Sequence, residues 1–226
     1  METYKFTSVF DVQKLRHDLG ICQGNSWRSH FNASDYSGTW SSFSLRSISG
    51  LENDILATAN APYKDTPTLE KCTYFKEIVD SFKCEKEAIR LLSLAPNSYI
   101  KEHTDPDGGY QDGFFRIHIP IMTNPKVEFK LNGKLLPMQA GECWYANFSL
   151  PHFVSNFGEE ERVHLVIDCI RNEWSDALFG DIGYDFDKEK AVVKDPKITR
   201  LIIQELTNQN SEAAQKLIAE LMLELT

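Results

Sequence analysis

The chain has no Cys-x-x-Cys pair among its five cysteines, no excess of positive charge and no long apolar run. Each of these gaps excludes a class of protein. The odd, scattered cysteines (Cys22, Cys72, Cys84, Cys143, Cys169) argue against a disulfide framework and against a Cys-rich zinc site, and suit a reducing compartment. Twenty-four Lys and Arg against 33 Asp and Glu leave a formal net charge of -9, so there is no electrostatic footprint for nucleic acid. No stretch approaches the ~18 consecutive apolar residues of a membrane span. The opening residues, METYKFTSVFDVQKLRHDLG, lack the basic-then-apolar order of a secretory leader. The expected location is the cytoplasm, with neither membrane nor nucleic acid as partner. Internal repeats and low-complexity segments are missing too.

What remains is 226 residues, 42% apolar and 25% charged, enough for one good-sized core with a small appendage. From Met1 to about Asp80 short helical patterns mix with polar, aromatic loops. Asp11 caps a helix carrying Val12, Leu15 and Leu19, with Gly20 as its stop, and a second helix covers Phe75–Phe82. Between them SWRSHFNASDYSGTWSSFSLRS reads as a long loop entering a strand near Trp40–Ile48. A loop that long in a compact domain is often a binding loop or lid.

From Glu87 to Arg171 the texture is β. AIRLLSLA, FFRIHIPIM, GECWYANF and RVHLVIDCI read as strands, and Asn132-Gly133 between two apolar runs is a hairpin signal. In FFRIHIPIM, alternation sets Phe114, Arg116, His118 and Pro120 on one face. Antiparallel strands at this spacing predict a sandwich or jelly-roll barrel. After Arg171 comes the acidic, aromatic ALFGDIGYDFD, then two helices, one opened by Pro196 and one capped by Ser211. Their apolar residues (Ile198, Leu201, Ile202, Leu206; Leu217, Ile218, Leu221, Met222, Leu225) either cover the barrel or form a homodimer seam. The expected division is a domain over 1–175 and a helical appendage over 176–226.

Four of the six histidines fall in the β zone, at His103, His118, His152 and His164. His103 and Asp105, two apart in IKEHTDPDGGY, point the same way at an extended strand end. One imidazole and one carboxylate are two thirds of a facial triad, which leaves coordination positions open and is diagnostic of non-heme Fe(II) oxygenases. His152, 49 residues downstream at a strand start, is the best third ligand. Taken alone, an exposed His beside an Asp is equally a solvated pair.

Arg162, ten residues beyond His152, opens an apolar strand, where a guanidinium is expensive to bury without an anion. The bland alternative pairs it with Glu159 or Glu160. HxD, a downstream His and an Arg at +10 together match the layout for Fe(II) plus 2-oxoglutarate.

From Arg90 to Cys169 the chain resembles the aspartyl/asparaginyl β-hydroxylase family, including its free L-proline hydroxylase members. The matching pieces are RLLSLAPNSYIKEHTD, RIHIPI, LNGKLLPMQAGECWYANFSLPHFVSNFG and RVHLVID, with YSGTWSSFSLRS further upstream. The resemblance implies a double-stranded β-helix (cupin-like) core and hydroxylation of unactivated C–H bonds with O2 and 2-oxoglutarate, releasing succinate and CO2. It implies His103, Asp105 and His152 as Fe(II) ligands, Arg162 on the distal carboxylate of 2-oxoglutarate, and His118 as a second contact to it. The family's protein-modifying animal members have Gly where this chain has Asp105, and a further Arg where it has Phe114.

A free amino acid or small derivative is therefore the expected substrate. Arg116 is the candidate for its carboxylate, with Arg90 or Arg46 in support, although Arg90 reads more readily as an outward residue paired with Glu87. Trp27, His30, Tyr36 and Trp40 sit in the loop that would close over the site. Trp40 has strand parity and a core character, which leaves Trp27 and His30 the freer candidates. His164 shares parity with Arg162 and reads as a satisfied interior histidine, and His17 as helix surface. Two rivals stand beside this reading: hydroxylation of Asp or Asn within a protein, and a cupin-like binding module without catalysis.

Overall fold

A computed structural model describes residues 1–24, 26–106, 108–193, 196–209 and 211–225, in two compact units, Met1–Leu178 and Phe179–Thr226. In chain order the first unit runs β1 (Thr3–Val9), α1 (Val12–Ile21), β2 (Arg28–Ser29), β3 (Tyr36–Ser37), β4 (Trp40–Ser47), β5 (Lys64–Asp65) and α2 (Thr73–Ser81). It continues with β6 (Lys86–Leu94), β7 (Ser98–His103), β8 (Phe114–Met122), β9 (Val127–Leu131), β10 (Lys134–Leu135), β11 (Glu142–Ala146), β12 (His152–Asn156) and β13 (Arg162–Ile170).

The strands form two antiparallel sheets. The larger is ordered β1-β11-β8-β13-β6-β4-β2, with β5 also on β4; the smaller is β10-β9-β12-β7-β3. Side chains from both meet in one core: Trp40, Leu94 and Trp144 from the larger sheet against Ile100, Phe129, Leu131 and Val154 from the smaller. This is a jelly-roll, one of the two architectures expected from the strand pattern, and the double-stranded β-helix that the resemblance implied. Strand β13 is bonded on both sides, to β6 and β8, and is buried along almost its whole length, which explains its near-continuous apolar sequence. The β9–β10 hairpin turns at Asn132 and Gly133, with φ of 47° and 73°, the left-handed pair that a two-residue loop requires.

Helix α1 begins where Asp11 Oδ1 accepts from the Gln13 and Lys14 amides at 2.8 and 3.2 Å. Gly20 does not stop it; the helix runs through Ile21 to a cap at Cys22. Its buried Asp18 accepts from the amides of Tyr74 and Phe75 at 2.8 and 2.9 Å, closing the N-terminus of α2 and fastening the two helices.

Strands β1, β2, β3 and β5 lie outside the sequence reading, the last three only two residues long, and of β7 only the end at His103 was read. Strand β1 buries only Phe6, so its alternation is faint; the ladder to β11 holds it. Strand β7 is short and half polar, and gains its place by pairing with β12 and β3.

Helix α3 (Glu173–Asp181) carries the chain into the second unit. There α4 (Phe186–Val193), α5 (Pro196–Gln209) and α6 (Glu212–Glu224) follow. The segment ALFGDIGYDFD thus turns out to be partly helical. Helices α5 and α6 pack on each other, and Ser211 Oγ accepts from the Ala214 amide at 3.1 Å to cap α6. Ile198, Leu201, Ile202, Leu217 and Met222 are exposed. No helix among the described residues is long and apolar enough to cross a membrane.

Candidate metal centre and anion pocket

A cavity of ≈ 390 Å³ opens between the sheets, lined from both. His103, Asp105, His152, Arg162, His118, Arg116, Trp40 and His30 all line it, as do Arg90, Phe148 and Asp35. Residues up to 132 positions apart in the chain (162 minus 30) therefore share one space.

His103 closes β7 and His152 opens β12, and antiparallel pairing sets the two opposite each other, ring centroids 4.1 Å apart. The His103 Nδ1 lies 2.8 Å from the Lys101 carbonyl and the His152 Nδ1 lies 3.1 Å from that of Leu150. A carbonyl only accepts, so each Nδ1 carries a proton and each Nε2 is the nitrogen left to face a metal. Both Nε2 atoms face Asp105 Oδ1, at 3.6 and 3.9 Å. One ligand atom from each of the three residues lies within 4.8 Å of the others. Burial drives His152 down to about 4, so its imidazole is uncharged at neutral pH.

Asp105 is brought here by backbone contacts beyond β7. Its amide donates to the Phe148 carbonyl at 2.9 Å, and the Phe148 amide donates to Gly108 at 3.1 Å. Phe148 then rests edge-on to His152, centroids 4.9 Å apart. Gly108 is required by this close approach, since a Cβ there would lie 3.0 Å from that of Phe148.

The other carboxylate oxygen, Asp105 Oδ2, accepts from Arg116 at 2.8 Å. Arg116 also donates to Asp168 at 2.6 and 3.2 Å, and Arg90 donates to the same carboxylate at 2.7 Å. Burial works to raise the Asp168 carboxyl, but the Arg116 and Arg90 charges outweigh it and hold it below the usual range. Arg116 is likewise opposed by burial and more than restored by Asp168 and Asp105. A chain Asp105–Arg116–Asp168–Arg90 thus backs the triad and leaves Asp105 Oδ1 turned to the histidines.

Arg90 corrects the sequence reading. It is buried, paired with Asp168 and lines the cavity, whereas Glu87 accepts from the Asn60 amide. Strand β6 is buried at residues of both parities, so neither of its faces is open to water. Arg46 belongs elsewhere, bonded to Asp65 at 2.5 Å. Asp168 was missed altogether; its signal was a carboxylate inside an apolar run, in phase with Arg162 and His164.

Arg162 is only 2% exposed, and among the described residues no carboxylate comes within ion-pair distance of it. Its NH2 donates to His164 Nδ1 at 2.9 Å, its guanidinium lies 5.6 Å from the Phe129 ring centre, and its Nε has no partner. Burial alone pulls its pKa down to about 9. The pairing with Glu159 or Glu160 does not form. Beside it His118, also buried, faces His164 Nδ1 at 3.3 Å through its own Nδ1, and its Nε2 is without a partner. A buried cation lacking a counter-charge, next to an unsatisfied imidazole nitrogen and lining a cavity, fits an incoming carboxylate. Two imidazoles and one carboxylate, each fixed from behind, fit a divalent cation with open positions.

Over this cavity His30 stacks on Trp40, centroids 3.5 Å apart and planes at 13°. Trp40 is both core and lining. Trp27 is not free: its Nε1 donates to the Cys22 carbonyl at 2.8 Å and its ring rests on Phe43.

Fold and site together define a class: a double-stranded β-helix presenting the two-histidine, one-carboxylate set of non-heme iron oxygenases. Residues 10–172 match the family model described as Aspartyl/Asparaginyl beta-hydroxylase, and the chain belongs to that family. It is 31% identical over 166 residues to an L-proline cis-4-hydroxylase of Rhizobium meliloti (strain 1021), covering 70% of this chain and 57% of the relative. Against an L-proline cis-3-hydroxylase 1 of a Streptomyces species it is 25% identical over 136 residues, covering 58% and 47%. The chain thus spans about half the length of the curated relatives it matches.

Among solved structures, an oxidoreductase of the 2OG-Fe(II) oxygenase family from Burkholderia pseudomallei superposes with a TM-score of 0.55 at 14% identity, covering 76% of this chain and 86% of that one. A non-heme α-ketoglutarate-dependent epimerase from nogalamycin biosynthesis gives 0.50 at 9% identity, covering 75% and 78%. At these identities the likeness is one of fold.

Proposed function

We propose that the protein is an Fe(II)- and 2-oxoglutarate-dependent dioxygenase that hydroxylates an unactivated C–H bond of a free amino acid or small amino-acid derivative, releasing succinate and CO2. One observation carries this reading: the His103–Asp105–His152 cluster and the carboxylate-free, buried Arg162 line the same cavity. In this reading His103, Asp105 and His152 hold the iron, and Arg162 with His118 receives the distal carboxylate of 2-oxoglutarate. The bound iron supplies activation of O2 at the expense of 2-oxoglutarate decarboxylation.

The chain's own residues bind, orient and exclude water. Arg116 holds Asp105 by one oxygen, so that the other serves the metal. Arg90 has a buried Nε without a partner, and offers it together with Arg116 to the carboxylate of an amino acid. Asp168 keeps both guanidinium groups charged and in place. His30 and Trp40 form an aromatic wall over the substrate, and burial holds His30 down to about 4, so this wall is uncharged at neutral pH.

L-Proline heads the list of substrates to test, since both curated relatives are L-proline hydroxylases. The rival substrate, Asp or Asn within a protein, is less favoured: Phe114 stands where the protein-modifying members carry an Arg, and lies against Arg116. The test is a mass-spectrometric screen of protein, Fe(II), ascorbate and 2-oxoglutarate with the twenty amino acids and common derivatives. A product at plus sixteen mass units with matching succinate is expected. Succinate without a product would move the substrate to peptides, and neither from iron-loaded protein would overturn the enzyme reading in favour of a binding module.

Cytoplasmic residence is supported by Cys22 and Cys72, which stay free thiols with sulfurs 3.6 Å apart. The apolar residues exposed on α5 and α6 support a homodimer, and a monomer at all concentrations in sedimentation equilibrium would overturn it.

A further inference from the structure

Strand β13 meets the arginines of this cavity in two opposite ways. Near its end, Asp168 neutralises Arg90 and Arg116 with a carboxylate. At its start, Arg162 meets the imidazole of His164 instead, and no carboxylate among the described residues. His164 is 1% exposed and also lines, with Arg162 and Phe129, a second cavity of ≈ 140 Å³.

Donor and acceptor counting fixes the state of this imidazole. Arginine has only donors, so the His164 Nδ1 that receives the Arg162 NH2 at 2.9 Å is unprotonated, and its proton sits on Nε2. The His118 Nδ1 approaches the same atom at 3.3 Å, and two lone pairs would repel there, so His118 carries its own proton on Nδ1 and donates it. One nitrogen therefore receives both groups that line the anion end of the cavity.

We propose that His164 is a positioning residue for the cosubstrate: its unprotonated Nδ1 holds Arg162 and His118 in place, and its neutrality leaves the Arg162 charge uncompensated until a dicarboxylate binds. This rests on the reading of Arg162 as the carboxylate site. A carboxylate at position 164 would satisfy Arg162 permanently and compete with the ligand. An aliphatic side chain would leave the guanidinium without its anchor. Asparagine places an acceptor near the position of Nδ1 and stays neutral.

The experiment is calorimetric titration of 2-oxoglutarate into protein loaded with Mn(II) instead of iron, for the wild type, H164L, H164D and H164N. A lost hydrogen bond to a charged group corresponds to roughly a ten- to hundredfold rise in Kd for H164L. H164D should be weakened at least as much, and H164N should stay within about fivefold of the wild type. Mn(II) affinity should be unchanged in all three, and in turnover assays KM for 2-oxoglutarate should rise while kcat at saturation holds. Wild-type affinity in H164L or H164D would overturn the proposal. So would equal losses in all three variants accompanied by weaker Mn(II) binding, the mark of a merely structural residue. Failure of the wild type itself to bind 2-oxoglutarate would instead overturn the reading of the site on which the proposal stands.

Discussion

His103 and His152 are cross-strand neighbours, held opposite each other by the pairing of β7 with β12 and each bonded through Nδ1 to the carbonyl two residues before it. The sheet, not a loop, sets their separation, and the same backbone sets their tautomers. Asp105 completes the cluster from a turn latched onto Phe148. Replacing Asp105 with Ala should therefore weaken divalent metal binding strongly and stop turnover, with the fold intact. Mn(II) titration with circular dichroism checks this; wild-type metal affinity in D105A would remove Asp105 from the ligand set.

Arg162 is a buried cation with no carboxylate beside it among the described residues, and on the proposed reading its counter-charge arrives with 2-oxoglutarate. R162M should raise the Kd for 2-oxoglutarate roughly thirtyfold or more, as expected when one side of a buried charged hydrogen-bond pair is removed. The same substitution should leave the ligand-free protein as stable as the wild type or more so, because an uncompensated charge is taken out of the interior. Thermal unfolding of the free protein measures the second half, and a clear fall in Tm would contradict it.

Asp168 stands in the reverse position, as the carboxylate shared by buried Arg90 and half-buried Arg116. D168N leaves both under-compensated and should destabilise the protein by about 3–5 kcal/mol. Urea unfolding at neutral pH gives the value, and a loss below about 1 kcal/mol would mean that the arginines find other partners.

Stability should depend on pH through the buried imidazoles. Burial holds His30 down to about 4 and keeps His118 and His164 well below their ordinary value, near 6.5 in an unfolded chain. Between those limits the unfolded chain binds protons that the folded chain refuses. Stability is thus complete above about pH 6.5 and falls as the pH drops toward 4. Urea midpoints of metal-free protein across this window should show the fall. H30F, which keeps the stack on Trp40, should flatten part of it, and a pH-independent midpoint would contradict the assignment.

Binding of 2-oxoglutarate should take up a proton. His118 spends its Nδ1 proton on His164, so its Nε2 presents a lone pair, and a hydrogen bond to an incoming carboxylate requires a second proton on the ring. Arg162 and His164 from β13, Arg116 from its own strand, Arg90 from β6 and His152 from β12 surround it, and none of them is an anion. The carboxylate supplies the missing negative charge. Calorimetry in two buffers of different ionisation enthalpy, near pH 7, should give an uptake approaching one proton, lost in H118N; no uptake in the wild type would mean that His118 does not donate to the carboxylate.

Much of this was legible before any coordinates. FFRIHIPIM and RVHLVIDCI match β8 and β13 end to end, because long, buried, β-branched runs leave no alternative. The caps at Asp11 and Ser211 were legible because capping is a local contact between a side chain and amides two or three residues on. Strand β1 was not, since its stability lies in β11, more than a hundred residues away.

The residue string carries the family and the alternation that aligns Arg116 with His118, and it names His103, Asp105 and His152 as candidate ligands. Which charges meet was decided only by the tertiary structure. Arg90 is separated from Asp168 by 78 residues, and Arg116 from Asp168 by 52, and no local rule relates them. Their pairing follows from strand order, β8-β13-β6, which places all three side chains in one low-dielectric space. There an arginine needs a carboxylate or must wait for one. Arg90 and Arg116 have Asp168; Arg162 has the imidazole of His164 and, among the described residues, no carboxylate.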